Sequence, residues 1–545
     1  MSNRQKILLV VTPSSDFEPK KSCLSAKTLE VLSPPLGLCY LGGTLREMGY
    51  EIEIYDPHIE NYDKFSKEEL PQALKSAIEN KIRTGDHTIL GISSPYFYTY
   101  LWAHYISEIS KAAAPEKKVI MGGGYPSMVP EIVMKDTNVD YVVIGEGEMV
   151  LAKLVDKIAK GLAPGGVDGV AYRQDGKLIV VPKKTFIEDV NSISHPAWDL
   201  VDVERYFKFQ GKRKLNVISS RSCPYLCTFC SSYKTWGRGF RKRTAEDILS
   251  EVVYLRDTFA IAEIGFVDDN MTVDKDRFME IAKGLKAMGL KWTINNISSF
   301  TTDREMLIAM KEGGCDTIAI AVESANKKTL KSLKKPVDLE KTIDLLKECR
   351  RINLRCNMLL ISGLPYETKE EMLETLNYAE KAGADWYVIS MLVPFPGTDV
   401  YEYCLEHDYF IDKDLDFSKF TLRNQGFIET ENWDREWVAN ITHEGNIRVN
   451  FLKNYNILHD DGDIEYAIRM FGHVFRFHPK HVIACICLAY AYHKKGEFDT
   501  SKALIHQAQS LLDTDEVQKE YGRFMDWDGA VIDFYHSQCR AAKAA

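Results

Sequence analysis

The segment "RSCPYLCTFCSS" (221–232) holds three cysteines in a CxxxCxxC arrangement: Cys223, Cys227 and Cys230. Three thiolates this close together need a soft metal, and the candidates are zinc and an iron–sulfur cluster. A structural zinc site takes four Cys or His ligands, yet no histidine occurs between His195 and His407. The pattern therefore favours a 4Fe–4S cluster with one open iron, while zinc and separate core cysteines are the alternatives.

The composition places this segment in a globular chain of several domains. A length of 545 residues predicts roughly two to four domains. The net charge of −9 gives no global reason to bind nucleic acid or an anionic membrane. The N-terminus lacks the apolar run of a signal peptide, and no segment is apolar for long enough to span a membrane. We therefore expect a cytoplasmic protein, and reducing cytoplasm argues against disulfides among the 12 cysteines.

Residues 1–160 alternate strand-like and helical segments. The strand-like runs are 6–11, 51–56, 88–93, 117–123 and 141–148. This alternation predicts a doubly wound parallel sheet, whose ligands bind beyond the carboxyl ends of the strands. Small residues follow several predicted strands there: Ser93, Ser94, Gly122, Gly123, Gly124, Gly145 and Gly147. They either admit a ligand to the backbone or only form tight turns. The chain lacks the dinucleotide-binding GxGxxG after the first strand and has no P-loop.

A second βα pattern follows a connecting segment. Residues 161–212 contain a hairpin signal at Asp175–Gly176. Residues 213–440 then hold six strand-like runs: 215–220, 261–269, 291–297, 316–324, 355–363 and 385–395. Six βα units predict a partial (β/α)6 barrel, with its active face at the strand ends. The cysteine segment directly follows the first of these strands.

Residues 441–545 read as amphipathic helices. An offset of 34 residues aligns two pairs of positions, as in tetratricopeptide repeats: Ala467 with Ser501, and Phe471 with Ile505. Two repeats are too few to form a solenoid. This region is therefore expected either to cap the barrel or to dock a protein partner.

Together, the cysteine motif and the six-unit barrel resemble the radical S-adenosylmethionine (SAM) superfamily over residues 213–400. In that family the open iron binds SAM, and one-electron reduction yields a 5′-deoxyadenosyl radical. Four further motifs fit the family: "GFVDDN" (265–270), "AVES" (321–324), "ISGLPYET" (361–368) and "PFPGT" (394–398). The resemblance makes the three cysteines catalytic and implies SAM-binding roles for Phe229, Asp268, Asp269, Glu323, Gly363 and Pro396. The two aspartates have an alternative role as helix caps.

The N-terminal segment is similar to the cobalamin-binding domain that precedes the barrel in one branch of this superfamily. The similar motifs are "GISS" (91–94), "MGGGYP" (121–126) and "VIGEGE" (143–148). The resemblance implies cobalamin-binding roles for Pro35, Gly37, Ser93, Ser94, Gly122, Gly123, Gly124 and Glu146. The DxHxxG motif of other corrinoid proteins is replaced by "TPSSDF" (12–17). We therefore expect no histidine on cobalt, and we expect His58 to be a surface residue.

These cofactors imply a C-methyltransferase that methylates an unactivated carbon with methylcobalamin and a 5′-deoxyadenosyl radical. Within this branch, the phosphonate C-methyltransferases and the anaerobic cyclases resemble the chain most. Arg238 and Arg241 are candidates for binding an anionic substrate, or else they belong to a solvated surface. A one-electron donor of the flavodoxin or ferredoxin type is expected. The alternatives are a cyclase or ring-rearranging enzyme without methyl transfer, and a non-catalytic iron–sulfur protein.

Overall fold

The computed structural model describes residues 5–13, 33–66, 69–417, 420 and 426–544. The strands of the N-terminal sheet are β1 Lys6–Val11, β2 Glu51–Tyr55, β3 Ile89–Ser93, β4 Lys118–Gly122, β5 Tyr141–Val143, β6 Val170–Gln174 and β7 Lys177–Val181. The helices of this part are α1 Leu36–Glu47, α2 Pro57–Asn61, α3 Leu70–Thr84, α4 Tyr100–Ala113, α5 Gly124–Met128, α6 Pro130–Val133, α7 Gly147–Ala159 and α8 Val203–Gln210.

The seven strands form one sheet in the order β2-β1-β3-β4-β5-β6-β7. The first five strands are parallel, and β1 and β3 are apolar runs buried from both sides, as central parallel strands require. The predicted hairpin forms β6 and β7, and β6 pairs antiparallel with β5. The segment predicted as a connector therefore supplies two strands to the N-terminal sheet.

The barrel begins at Lys214. Its strands are β8 Lys214–Val217, β9 Ser220–Arg221, β10 Arg241–Lys242, β11 Glu263–Phe266, β12 Lys291–Ile294, β13 Thr317–Glu323, β14 Arg355–Ser362 and β15 Trp386–Met391. Its helices are α9 Ser232–Trp236, α10 Ala245–Phe259, α11 Lys275–Met288, α12 Arg304–Glu312, α13 Lys327–Ser332, α14 Leu339–Arg351, α15 Lys369–Ala382, α16 Asp399–Glu406 and α17 Arg435–Ile447.

Two three-stranded parallel sheets, β12-β11-β8 and β13-β14-β15, make up the barrel wall. Isolated parallel bridges join β12 and the loop that follows it to the start and middle of β13. The six strands therefore run β8-β11-β12-β13-β14-β15, which confirms the predicted fold class. The short strands β9 and β10 pair antiparallel and flank the cysteine segment.

The C-terminal helices pack on the last barrel strand. They are α18 Tyr455–Leu458, α19 Ile464–Phe477, α20 Val482–Lys494, α21 Phe498–Leu512, α22 Asp515–Tyr521 and α23 Ala530–Ala544. The Trp386 ring of β15 lies 5.5 Å from Phe451 and 6.5 Å from Phe471 between ring centroids. Phe471 and Ile505, which the 34-residue offset aligns, are both buried. The helices thus take the capping arrangement. Among the helices described, none combines the length and apolarity needed to cross a membrane.

Candidate active site

The loop that carries the three cysteines lies between β9 and α9 and is held on both sides. Ser222 has a left-handed backbone with φ 67°, and its hydroxyl donates to the Gly237 carbonyl at 2.5 Å. The Thr228 amide donates to the Leu333 carbonyl at 3.0 Å, which ties the loop to the turn after α13. A strained residue such as Ser222 persists where the surrounding structure fixes it, and such residues cluster at functional sites.

The three thiols are half-buried and lie within electrostatic reach of one another: Cys223, Cys227 and Cys230. Burial raises the pKa of each thiol, to about 12 at Cys230. The Lys335 ammonium opposes this rise at Cys227. The thiols therefore stay protonated until a metal displaces their protons, which couples metal binding to proton release.

The geometry of these thiols bears on the group they hold. Within the described residues, no three His, Cys, Asp or Glu side chains converge closely enough to hold a single metal ion. An iron–sulfur cluster is larger and is ligated by separate cysteine thiolates. Three cysteine thiols on one loop are the donor set that such a cluster takes.

The two aspartates predicted to contact SAM have different environments. Asp268 is buried, and its carboxylate accepts hydrogen bonds from the Ser219 amide and the hydroxyls of Ser219 and Ser220, at 2.5 to 3.2 Å. These bonds commit Asp268 to holding the turn after β8. Asp269 is exposed beside the cysteine loop and accepts a hydrogen bond from the Ser232 hydroxyl. Of the two, only Asp269 has an exposed side chain, and its contact with SAM stays a prediction.

Glu323, predicted to contact the ribose, ends β13 in a strained conformation. Its φ is 67°, and the register with β14 shifts between Ala321 and Glu323. Its carboxylate pairs with the Lys335 ammonium at 3.1 Å, and both side chains are largely buried. Because Lys335 also lies beside Cys227, this ion pair joins the end of β13 to the cysteine loop.

The remaining predicted SAM contacts lie in the surrounding wall. Phe229 packs against apolar side chains around the ends of β14 and β15. Gly363 is buried with φ 73°, and an added Cβ would lie 2.9 Å from Cγ1 of Val438. This glycine is therefore required for the packing of α17. Pro396 is buried, and its contact with SAM stays a prediction.

Sequence reasoning missed a buried acid behind this wall. Glu367 lies in the "ISGLPYET" motif and is 0% exposed. One carboxylate oxygen accepts from the Ser324 hydroxyl at 3.0 Å, while the other has no partner among the described residues. Burial raises the pKa of Glu367 to about 8. An acidic residue within an otherwise apolar strand-end motif was the available signal.

Glu367 predicts a pH dependence of stability. Its carboxyl stays protonated in the folded protein up to about pH 8, while an unfolded glutamate ionises near its ordinary pKa of 4.5. The unfolded state therefore binds fewer protons between these values, so this contribution to stability is complete below about pH 4.5 and is lost as pH rises through about 8. The cumulative loss is roughly 4 to 5 kcal/mol.

Glu367→Gln removes this titration, because an amide is neutral throughout. We expect the Tm of the variant to fall less than that of the wild-type protein between pH 5 and pH 8. Glu370→Gln, at the exposed start of α15, is the matched control and should follow the wild-type protein. Equal falls in Tm for all three proteins would contradict the buried, protonated state of Glu367.

The predicted cobalamin edge is built by backbone packing. Gly123 has φ 113°, and a Cβ added there would lie 2.5 Å from the Ser94 carbonyl oxygen. A Cβ on Gly124 would lie 2.4 Å from the Pro95 carbonyl oxygen. These two glycines therefore let the loop after β4 lie directly on the loop after β3. Both stay half-exposed, so the edge presents backbone to any group beyond the strands, as a bulky planar cofactor requires.

The other predicted cobalamin contacts differ in accessibility. Gly37 is exposed, and an added Cβ would meet nothing within 4 Å. Ser93 and Gly122 are half-exposed at adjacent strand ends, and Pro35 is half-buried at the start of α1. Ser94 is fully buried, and its hydroxyl is paired with that of Thr99 at 2.8 Å. Ser94 therefore contributes structure, not a side-chain contact.

His58 is buried, not exposed as predicted. It lies in α2 after the N-cap Asp56, and within the described part of the chain its two ring nitrogens have no hydrogen-bond partner. Burial lowers the pKa of this imidazole, so His58 is neutral. Residues 14–17 of the "TPSSDF" segment lie outside the described residues.

Glu146 and Arg241, predicted to contact cobalamin and substrate, instead bond to each other across the junction between the N-terminal sheet and the barrel. Glu146 is 2% exposed and accepts hydrogen bonds from Arg221 and Arg241, which lie on β9 and β10. Arg241 is therefore unavailable to an anionic substrate. Arg238 remains exposed, with its guanidinium 4.9 Å from the centre of the Tyr233 ring. Sequence distance hid this pairing, because 75 residues separate Glu146 from Arg221.

Two family models match the chain. One, described as the radical SAM superfamily, covers residues 217–379. The other, described as a B12 binding domain, covers residues 24–155. Together they confirm the prediction of a radical SAM enzyme with a 4Fe–4S cluster, SAM and cobalamin as cofactors.

Similar proteins share most of this architecture. An uncharacterised methyltransferase of Pyrococcus horikoshii is 31% identical over 419 residues, which cover 76% of this chain and 86% of that protein. Cytidylyl-2-hydroxyethylphosphonate methyltransferase of Streptomyces wedmorensis is 29% identical over 459 residues, covering 76% and 85%. Anaerobic magnesium-protoporphyrin IX monomethyl ester cyclase of Rubrivivax gelatinosus is 26% identical over 380 residues, covering 68% and 66%.

A solved structure shares the fold. The cobalamin-dependent SAM radical enzyme OxsB, with aqua-cobalamin and SAM bound, superimposes with a TM-score of 0.66 at 16% identity, covering 98% of this chain and 84% of that one. The sheet, the barrel and the helical cap thus occur together in a known architecture. With the sequence match to the Pyrococcus protein, they show that the chain belongs to the radical SAM enzymes that carry a B12-binding domain ahead of the barrel.

Proposed function

We propose that the protein is a cobalamin-dependent C-methyltransferase, which replaces a hydrogen on an unactivated carbon of a small molecule by a methyl group. The observation that supports this proposal is the contact between the strand-end edge of the N-terminal sheet and the helix that follows the cysteine loop. A Cβ added to Gly145, at the strand-end edge of the N-terminal sheet, would lie 3.1 Å from the Thr235 carbonyl oxygen in α9. Helix α9 begins two residues after Cys230, so the cysteine loop and the glycine edge adjoin.

The relatives support methyl transfer over cyclisation. Two similar proteins named as methyltransferases, those of Pyrococcus and Streptomyces, align over 76% of this chain, at 31% and 29% identity. The cyclase aligns over 68% at 26% identity. The difference favours the methyltransferase proposal and keeps the cyclase as the second candidate.

When bound, the cofactors supply a hydrogen-abstracting radical and a transferable methyl group. The chain supplies ligands, orientation and exclusion of water. The cysteine triad would hold the cluster, Asp269 and the Glu323–Lys335 pair would orient SAM, and Phe229 would shield the cluster from solvent. Each turnover would consume one substrate, two SAM and two electrons, and would yield one methylated product, S-adenosylhomocysteine, methionine and 5′-deoxyadenosine.

Methyl-deuterated SAM tests this function. The protein, loaded anaerobically with both cofactors, is reduced and incubated with a low-molecular-weight extract of the source cells. We expect one extract component to gain a trideuteromethyl group, with one 5′-deoxyadenosine formed per product. Consumption of a component with 5′-deoxyadenosine but without label would support the cyclase. Absence of SAM cleavage would refute both enzymes and support a non-catalytic iron–sulfur protein.

The substrate, donor and location complete the proposal. Arg238, the exposed cation near the cysteine loop, favours an anionic substrate, and the Streptomyces relative is named for a nucleotide phosphonate. Flavodoxin or ferredoxin would supply the electrons. A reducing cytoplasm suits the described cysteines, all of which are free thiols. The C-terminal helices pack on the barrel, and the docking of a protein partner on them stays a prediction.

A further inference from the structure

The junction between the N-terminal sheet and the cysteine loop is a buried network of four charges. Arg221 is 4% exposed and donates to Glu146 at 3.1 Å and to Glu148 at 2.5 Å. Arg241, its partner across β9 and β10, donates to the same oxygen of Glu146 at 2.6 Å. The two guanidinium groups and two carboxylates balance in charge, so the network needs no counter-ion from solvent.

Each member of this network belongs to a segment that carries a cofactor site. Arg221 lies two residues before Cys223. Arg241 lies on β10, directly after the segment between β9 and β10 that contains the cysteine loop. Glu146 follows Gly145 at the end of β5, beside the glycine edge. Its second carboxylate oxygen accepts from the Ile187 amide at 2.9 Å, and Arg241 donates to the Ile187 carbonyl at 2.6 Å. One carboxylate thus joins the sheet, the connector and the cysteine loop.

Stability alone does not explain this arrangement. A buried ion pair seldom adds net stability over a well-packed apolar contact, but it does fix one geometry. Among the described residues, no group satisfies the second carboxylate oxygen of Glu148, although it is buried. An unsatisfied buried oxygen is costly, so the network gives up stability at the place where the two cofactor sites meet.

We propose that Arg221, Arg241, Glu146 and Glu148 form a positioning latch, which sets the separation of the bound corrinoid from the cluster. The bonds of these four residues are to one another and to neighbouring protein groups, so we assign them a positioning role. They act through Cys223 on one side and the Gly145 turn on the other. Only the effect of the latch on product yield rests on the proposed function. Its effect on the distance between cobalt and the cluster can be measured whenever both cofactors are bound.

Glu146→Gln tests the latch by removing the shared charge while keeping the shape of the side chain. The measurement is the magnetic dipolar coupling between Co(II) of cobalamin and the reduced cluster, by pulsed electron paramagnetic resonance on the fully loaded protein. We expect a shifted or broadened cobalt-to-cluster distance. Product per 5′-deoxyadenosine should fall about tenfold or more, because a misplacement of about 1 Å can cost about a hundredfold in rate.

Glu263→Gln is the matched control. Glu263 pairs with Lys214 at 2.9 Å at the start of β11, at the ends of the barrel strands opposite the cysteine loop, and their side chains are 17% and 19% exposed. It should lower Tm and leave the dipolar distance unchanged. If Glu146→Gln does not bind both cofactors, the same distance is measured in Arg241→Lys. This variant keeps the positive charge and loses the bonds of Arg241 to Ile187 and Trp236.

An unchanged distance in a loaded variant would overturn the latch, even if activity fell. Equal distance changes in Glu146→Gln and in Glu263→Gln would also overturn the latch, because both would then reflect a general loosening of the structure. If neither latch variant binds the cofactors while Glu263→Gln does, the network is needed to build a site, and the latch is likewise refuted. Failure of methyl transfer in the wild-type protein, with the expected distance change in Glu146→Gln, would refute the proposed function and keep the latch.

Discussion

Cys223→Ala is expected to abolish the reductive cleavage of SAM, down to the background of a reaction without protein. In the proposed function the cluster would take three protein ligands from the loop. No substitute thiol is accessible, since the other barrel cysteines are buried in the apolar core. Loss of one thiolate therefore removes the site that must hold SAM. Iron content, the electron paramagnetic resonance signal of the reduced protein and the yield of 5′-deoxyadenosine measure the effect together.

Cys404→Ala is the control for this experiment, because Cys404 is a fully buried thiol of α16 with an apolar environment. It should keep the cluster and the activity, at a modest loss of stability. Full iron content and SAM cleavage in Cys223→Ala would show that the cluster is held elsewhere.

Gly123→Ala is expected to disrupt the cobalamin edge. The φ of 113° is strained for any residue with a Cβ, and that Cβ would meet the Ser94 carbonyl oxygen at 2.5 Å and the Pro95 nitrogen at 3.0 Å. Strain and overpacking together should cost roughly 3 to 5 kcal/mol of stability. Because backbone atoms on both loops must move, the amount of cobalamin retained after gel filtration should fall as well.

Gly472→Ala is the control for both readouts and should keep the bound cobalamin. An added Cβ at Gly472 meets nothing within 4 Å, and the residue lies within the C-terminal helix α19. Alanine should therefore raise helix stability by up to about 1 kcal/mol. A Tm for Gly123→Ala that matches the wild-type value would contradict the close packing of the two loops.

Local patterns predicted the frame of the molecule well. Apolar runs bounded by turn residues located the strands. The predicted strand 6–11 is β1, whose four central residues are buried, as a parallel strand covered on both faces requires. The predicted strand 355–363 corresponds to β14, Arg355–Ser362, in which buried and half-buried residues alternate. The cysteine motif, placed directly after the first of six predicted strands, indicated the barrel and predicted which end of it carries the active site. The exact domain limits stay predictions.

Side-chain pairing across distant segments was beyond reach of the sequence. Glu146 and Arg241 have the residue types of ligand contacts, yet they satisfy each other because folding brings β5 and β10 together. Asp268 and Asp269 are adjacent and chemically identical, and only the serines around them separate their roles. His58 looked like a surface residue, because nothing local shows that α8 covers α2.

The antiparallel hairpin at the far side of the N-terminal sheet has a dynamic consequence. Strand β5 is three residues long, and as an outer strand it would fray readily. Pairing with β6 encloses it between two neighbours, so its amides exchange with solvent only through larger openings of the sheet. In hydrogen–deuterium exchange, the short strand that leads into Gly145 should therefore be slower than the longer outer strand β7.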